Sequence, residues 1–172
     1  MNIATCPFPA IAITATDYAK CGSTAYCYVE PRNVVRAAKY FFEAGYFIED
    51  VCGLDLEEGF EVVYHFDSFT APGRVSLRLV VPHDKPVVPS IAGVFPGAEW
   101  HERETTDFFG VVFEGNPNPK PLLLPDDMTL HPLVKEPKKR QPAVNVFVVH
   151  RLSEGKEPTA AKKKPADEDE EA

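Results

Sequence analysis

The run Trp100-His101-Glu102-Arg103-Glu104-Thr105-Thr106-Asp107-Phe108-Phe109-Gly110 concentrates side chains that could do chemistry. His101 and Glu102 open like the zinc-protease motif H-E-x-x-H, but the fifth position is Thr105, so the second imidazole ligand is missing and the motif fails. Read as a helix, the run places Trp100, Glu104, Asp107 and Phe108 in one stripe, with Arg103 within i,i+4 reach of Asp107. Aromatics are expected to turn inward, and this stripe takes two carboxylates with them. Burying an unpaired carboxylate costs several kcal/mol or forces it to take up a proton, so Glu104 and Asp107 are expected to meet fixed donors. Those donors can lie in the loop after Gly115 or in a partner; Arg78 is a candidate counter-ion by residue type.

Other constellations are weaker. His65, His83, His131 and His150 could gather with Asp126 and Asp127 around a metal, yet their separations define no geometry. Walker loop, dinucleotide fingerprint and serine elbow are all missing. Cys6, Cys21, Cys27 and Cys52 lack the close spacing of a cluster motif and read as reduced thiols. A net charge of -8 disfavours nucleic acid, which is gripped by clustered Lys and Arg. No run approaches the length of an apolar membrane span and the start lacks a basic leader, so a soluble intracellular chain is expected.

Periodicity sets out the elements that must position these groups. Residues 1–24 read as a poorly determined arm, and Tyr26 to Val29 as a short strand. After Pro31, a helix presents Val34, Ala38, Phe41 and Phe42 and ends with Gly45 at C′. Tyr46 to Asp55, Phe60 to Asp67 and Arg74 to Pro82 alternate as strands of an antiparallel meander, with a turn at Ala71-Pro72-Gly73. Ser90 suits the cap of a turn ending near Pro96, and the acid-bearing helix runs from about Ala98 to Phe109, stopping at Gly110.

The expected class is therefore α+β, an antiparallel sheet with helices packed on one face, spanning residues 25–115. Residues 116–152 form a long extended segment, because Pro117, Pro119, Pro121, Pro125, Pro132, Pro137 and Pro142 prevent regular helix. Its Leu122, Leu123, Leu124, Leu130 and Leu133 predict that it lies on another surface. Val144 to His150 has strand character suited to a partner's sheet edge or to its own sheet. Residues 153–172 read as a disordered charged tail.

The helix is followed by Val111-Val112-Phe113-Glu114-Gly115-Asn116-Pro117, Leu122-Leu123-Leu124-Pro125-Asp126-Asp127 and His131-Pro132-Leu133-Val134-Lys135, and preceded by Phe60 to Phe66 and Pro86 to Ser90. Across residues 28–140 this succession closely resembles the C-type subunit of the proton-pumping NADH:quinone oxidoreductase, respiratory complex I, and the related subunit of membrane-bound nickel-iron hydrogenases. Asn116, Lys120-Pro121 and Met128 depart from the usual family pattern and leave the branch open, towards a hydrogenase-type or divergent complex.

The resemblance implies a non-catalytic structural subunit of a hydrophilic arm, peripheral on the cytoplasmic face of the inner membrane. It would pack on the large quinone-site subunit and neighbouring iron-sulfur subunits, supporting electron transfer to quinone coupled to proton translocation. No cofactor or metal is expected on this chain; NADH, flavin, iron-sulfur clusters and quinone, or a nickel-iron centre, belong to partners. The implied signature comprises Trp100, Glu102, Arg103, Glu104, Asp107, Phe108 and Gly110 on the helix and its cap. It continues through Phe113, Gly115 and Pro117 to Leu123, Leu124, Pro125, Asp126 and Asp127, and then His131, Pro132 and Leu133. Two readings from other classes stand beside it: a metal-dependent enzyme using His101, Glu102, Glu104 and Asp107, and a transient assembly factor.

Overall fold

Strict alternation along two strands builds the core. Phe60, Val62, Tyr64 and Phe66 on one strand, and Val75, Leu77, Leu79 and Val81 on its neighbour, are all buried on one side of a sheet. The structure, a computed structural model, describes residues 7–70 and 73–143. Cys6, Ala71, Pro72, the expected strand Val144 to His150 and the tail from 153 lie outside the described residues.

In chain order the elements are β1 (Ala12–Ala15), α1 (Tyr18–Cys21), β2 (Ala25–Tyr28), α2 (Val34–Glu43), β3 (Phe47–Leu56), β4 (Gly59–Asp67), β5 (Val75–Val81), β6 (Val87–Pro89), α3 (Ala98–Phe109) and β7 (Val112–Glu114). The main sheet runs β1-β2-β5-β4-β3, and the class is α+β as expected. The meander β3-β4-β5 is antiparallel throughout. Two features correct the expectation. β2 joins β5 in parallel, so the sheet is mixed, and β1 pairs with β2, so a boundary after residue 24 would cut a strand from its own sheet. Ala12–Ala15 is too short to register as a period, but the backbone of β2 needs a partner on its free side.

Pro31 opens a single 3-10 turn that runs into α2, and Gly45, at φ 79°, ends it. Val34, Ala37, Ala38 and Phe41 face the core, with Phe41 stacked on Phe66 at 4.8 Å between centroids. Phe42, expected in that stripe, is exposed and makes a T-shaped contact with Phe95. Inclusion of the small Ala37 shifts the packed face by one residue.

β6 and β7 form a two-stranded parallel sheet that brackets α3. Ser90 N–H donates to Glu114 O at 2.8 Å. The segments leading into and out of α3 are thereby brought together.

Candidate functional site

Helix α3 spans the residues predicted, Ala98–Phe109, with Gly110 in the left-handed region at φ 73°. Its inward face is mostly small and polar, with Ala98, Glu102 and Thr105 buried and Phe109 packed on Phe60 at its end, whereas Trp100 is 62% exposed and Glu104 is half-buried. Glu102, not Glu104, is the core carboxylate. One oxygen accepts Ile91 N–H at 2.8 Å, and the other accepts Ser90 Oγ–H at 2.6 Å and Asn116 Nδ2–H at 2.8 Å. Burial pushes Glu102 above the usual carboxylate range, and these three donors pull against it. The β6–β7 pairing supplies them, since it places Ser90 and Asn116 at one end of the helix.

A second face of α3 is covered by the strap, residues 116–143. Asp107 is buried beneath it, and its Oδ2 accepts the backbone N–H groups of Leu122, Leu123 and Leu124 at 2.9, 2.7 and 3.2 Å. Burial alone would raise Asp107, but these donors, with Arg103 nearby, hold it below the usual carboxylate range. Arg103 does not pair with Asp107 by contact as expected; it donates to Lys120 O and Pro121 O at 2.8 and 2.9 Å. His131 lies with Nδ1 2.8 Å from Asp107 O, and its ring occupies the space a side chain at Gly110 would need, 2.7 Å from an added Cβ. Glycine is therefore required there for both backbone and space. Between strap and helix is a cavity of about 280 Å³ lined by Arg103, Asp107, Phe113, Leu124, Met128 and His131.

The strap is pinned again at the end of β3. Asp55 is 1% exposed, accepts Lys135 N–H at 2.7 Å, lies 2.9 Å from Arg140 Nε and meets His83 Nε2 at 2.7 Å. Burial opposes its charge, but these partners hold it low. Glu57 N–H donates to Gln141 O at 3.1 Å, and the Glu58 carboxylate accepts Ala143 N–H. The expectation that this segment lies on another surface is thus corrected for its backbone, which docks on its own α3 and β3. Its side chains differ: Leu123, Met128, Leu130 (76% exposed), Leu133 and Val134 are left exposed.

The third face of α3 carries Trp100, Glu104 and Phe108, one turn apart. With His101, Leu133 and the β3 edge, Glu104 and Phe108 line a groove of about 360 Å³. The stripe read from sequence therefore exists, but it faces away from the core, and Asp107 belongs to the adjacent face. Asp126 and Asp127 are exposed beside a turn closed by Met128 N–H to Pro125 O at 2.9 Å. Pro117, Gly115 and Pro132 are exposed, and Phe113 is buried.

Several groupings suggested by residue type do not form. Arg78 grips Glu61 on the reverse face of the sheet, at 2.7 and 3.1 Å, and lies over the Tyr26 ring instead of meeting α3. Odd positions of β4 and even positions of β5 point away from α3, which is why. His65, His83 and His131 are dispersed, on Asp50, on Asp55 and at Gly110. Glu102 and Asp107 are committed to different donor sets, so His101, Glu102, Glu104 and Asp107 do not converge on a metal. Sequence pattern does not reveal Asp55: its strap partner is 80 residues away, beyond any local period.

The α+β body and its strap fall within one sequence match to a known family. The family described as "Respiratory-chain NADH dehydrogenase, 30 Kd subunit" matches residues 27–142. The chain belongs to this family. A relative from Roseiflexus sp. (strain RS-1), a C-type subunit of NADH-quinone oxidoreductase, is 42% identical over 116 residues, covering 63% of this chain and 67% of that protein. A solved trypsin-resistant fragment of Nqo5 is 28% identical with a TM-score of 0.53, covering 62% of this chain and 88% of the fragment. A chain of the membrane-bound sulfane sulfur reductase, an archaeal respiratory membrane complex, shares the fold at TM-score 0.60 and 24% identity, over 79% of this chain and 85% of that one. This family member has, among the described residues, no helix long and apolar enough to cross a membrane.

Proposed function

We propose that the chain is a structural subunit of the hydrophilic arm of an NADH:quinone oxidoreductase, docked on the large quinone-site subunit and beside iron-sulfur subunits on the cytoplasmic side of the membrane. Its role is to hold the partner's electron-transfer site in place during quinone reduction coupled to proton translocation, without binding flavin, cluster or quinone itself. One observation carries this reading. The strap fastens its backbone to its own body and leaves apolar side chains exposed, as Trp100 is on α3, a surface suited to burial against another subunit. The relatives named as subunits of NADH-quinone oxidoreductase support the respiratory branch over the hydrogenase one.

Isolation of the intact membrane complex tests it. The chain is expected in stoichiometric amount with quinone-site subunits, and Leu130→Asp is expected to reduce its recovery in the complex while the isolated chain keeps its circular dichroism. Purification with a nickel-binding large subunit, or substoichiometric recovery as for an assembly factor, would overturn the reading.

A further inference from the structure

The face of the sheet opposite the core carries Asp50 and Cys52 on β3, the sheet's edge strand, and His65 on β4. Antiparallel pairing sets Asp50 opposite His65 and Cys52 opposite Val63, so alternation sends all three side chains to the same face. A carboxylate oxygen, a thiol sulfur and an imidazole nitrogen, one from each, lie within 4.8 Å of one another. Among the described residues this is the one such group of donors.

We propose that Asp50, Cys52 and His65 form a binding site for a zinc-class divalent cation, with water in the fourth position. The donor set decides the class of ion. A thiolate and an imidazole favour zinc or cobalt, whereas magnesium and calcium require oxygen donors throughout. Ligand bonds of about 2.0–2.3 Å set tetrahedral donors roughly 3.3–3.7 Å apart, so side-chain rotation must part His65 and Asp50 slightly and turn the thiol toward the ion. Their backbones need not move, being fixed by the strand pairing. His65 Nδ1 already lies 2.7 Å from Asp50 Oδ1, and both side chains are partly open to solvent. Asp50 and Cys52 also border, at the β3 edge, the groove walled on its other side by His101 and Glu104 of α3.

The acidic groups Asp50, Glu61 and Glu104 near Cys52 favour a cation, against the single positive charge of Arg78. A cysteine thiol is ordinarily protonated at neutral pH, and binding breaks its S–H bond, forms a sulfur–metal bond and delivers the proton to solvent. The site departs from the family expectation that this chain carries no metal, and it uses none of the histidine grouping anticipated from sequence beyond His65.

Cobalt titration of the full-length, metal-stripped chain tests the proposal. The expected result is a thiolate-to-cobalt charge-transfer band saturating at one equivalent, bleached by zinc and unaffected by magnesium, with release of about one proton per ion. Cys52→Ser should abolish the band and Cys21→Ser should leave it; His65→Gln and Asp50→Asn should weaken cobalt binding about tenfold or more. In the unmodified chain, zinc should protect Cys52 but not Cys21 from alkylation, mapped by mass spectrometry, a readout independent of whether a variant folds. Absence of the band, its survival in Cys52→Ser, or equal alkylation of both thiols with and without zinc overturns the site.

Discussion

Around Phe66 the body packs Phe41, Phe95 and Val75 into an apolar cluster, whereas no residue of the strap from 116 to 143 is buried and its backbone is fixed by carboxylates of the body. The two regions are held by different physics. Apolar packing is non-directional and extends through the whole core, so damage at one point is felt as loss of the entire fold. The acid pins at Asp107 and Asp55 are directional and local, so each holds one stretch of chain and answers to pH.

The comparison can be broken most severely in the core. Phe66→Ala removes the partner of both Phe41 and Phe95 and is expected to cost about 3–5 kcal/mol, read as a lower urea midpoint for the whole body. Asp107→Ala leaves three amide donors without an acceptor and is expected to cost about 2–3 kcal/mol, confined to the strap. Limited proteolysis should then cut between Pro117 and Leu133 much faster, with a smaller change in the body's urea midpoint. Equal midpoint shifts for the two variants would show that strap and body are one cooperative unit.

Acid titration sharpens the contrast further. Asp107 and Asp55 have folded values held below their unfolded ones, so their stabilisation is present above the unfolded value and is lost as pH falls through the folded value. Glu102 is shifted the other way, so its contribution is complete below its unfolded value and is lost as pH rises through the folded one. Amide exchange at Leu122, Leu123 and Leu124 should therefore stay slow through the pH range in which Glu102 takes up its proton, and speed up only below the usual aspartate range. Loss of protection together with Glu102 protonation would contradict separate pins. The smallest effect is expected at Trp100→Ala, within about 0.5 kcal/mol for the isolated chain, because the ring is exposed; its consequence should show in recovery of assembled complex.

The meander and both ends of α3 were legible in the sequence because Phe60 to Phe66 and Val75 to Val81 alternate cleanly and Gly110 has a conformational reason to stand where it does. The orientation of α3 was not. Hydrophobicity assigns Trp100 and Phe108 to the core, but the interior at that point is furnished with fixed donors, Ser90, Ile91 and Asn116, that suit Glu102 instead. No local pattern announces those donors, since the β6–β7 pairing creates the site only after folding. The same holds for Asp55, whose partners arrive from the strap, and for Asp50, Cys52 and His65, which become neighbours through strand register alone. Spacing along the chain reveals groups on one element, and cross-strand neighbours lie beyond its reach.

The parallel seam between β2 and β5 imposes an order on the birth of the molecule. Ala25 is matched to Val75, so the amino-terminal hairpin cannot find its permanent neighbour until the meander behind it has been synthesised. During synthesis β2 emerges before β5, so one edge of it lacks its native partner, and is open to stray pairing, until the meander is complete.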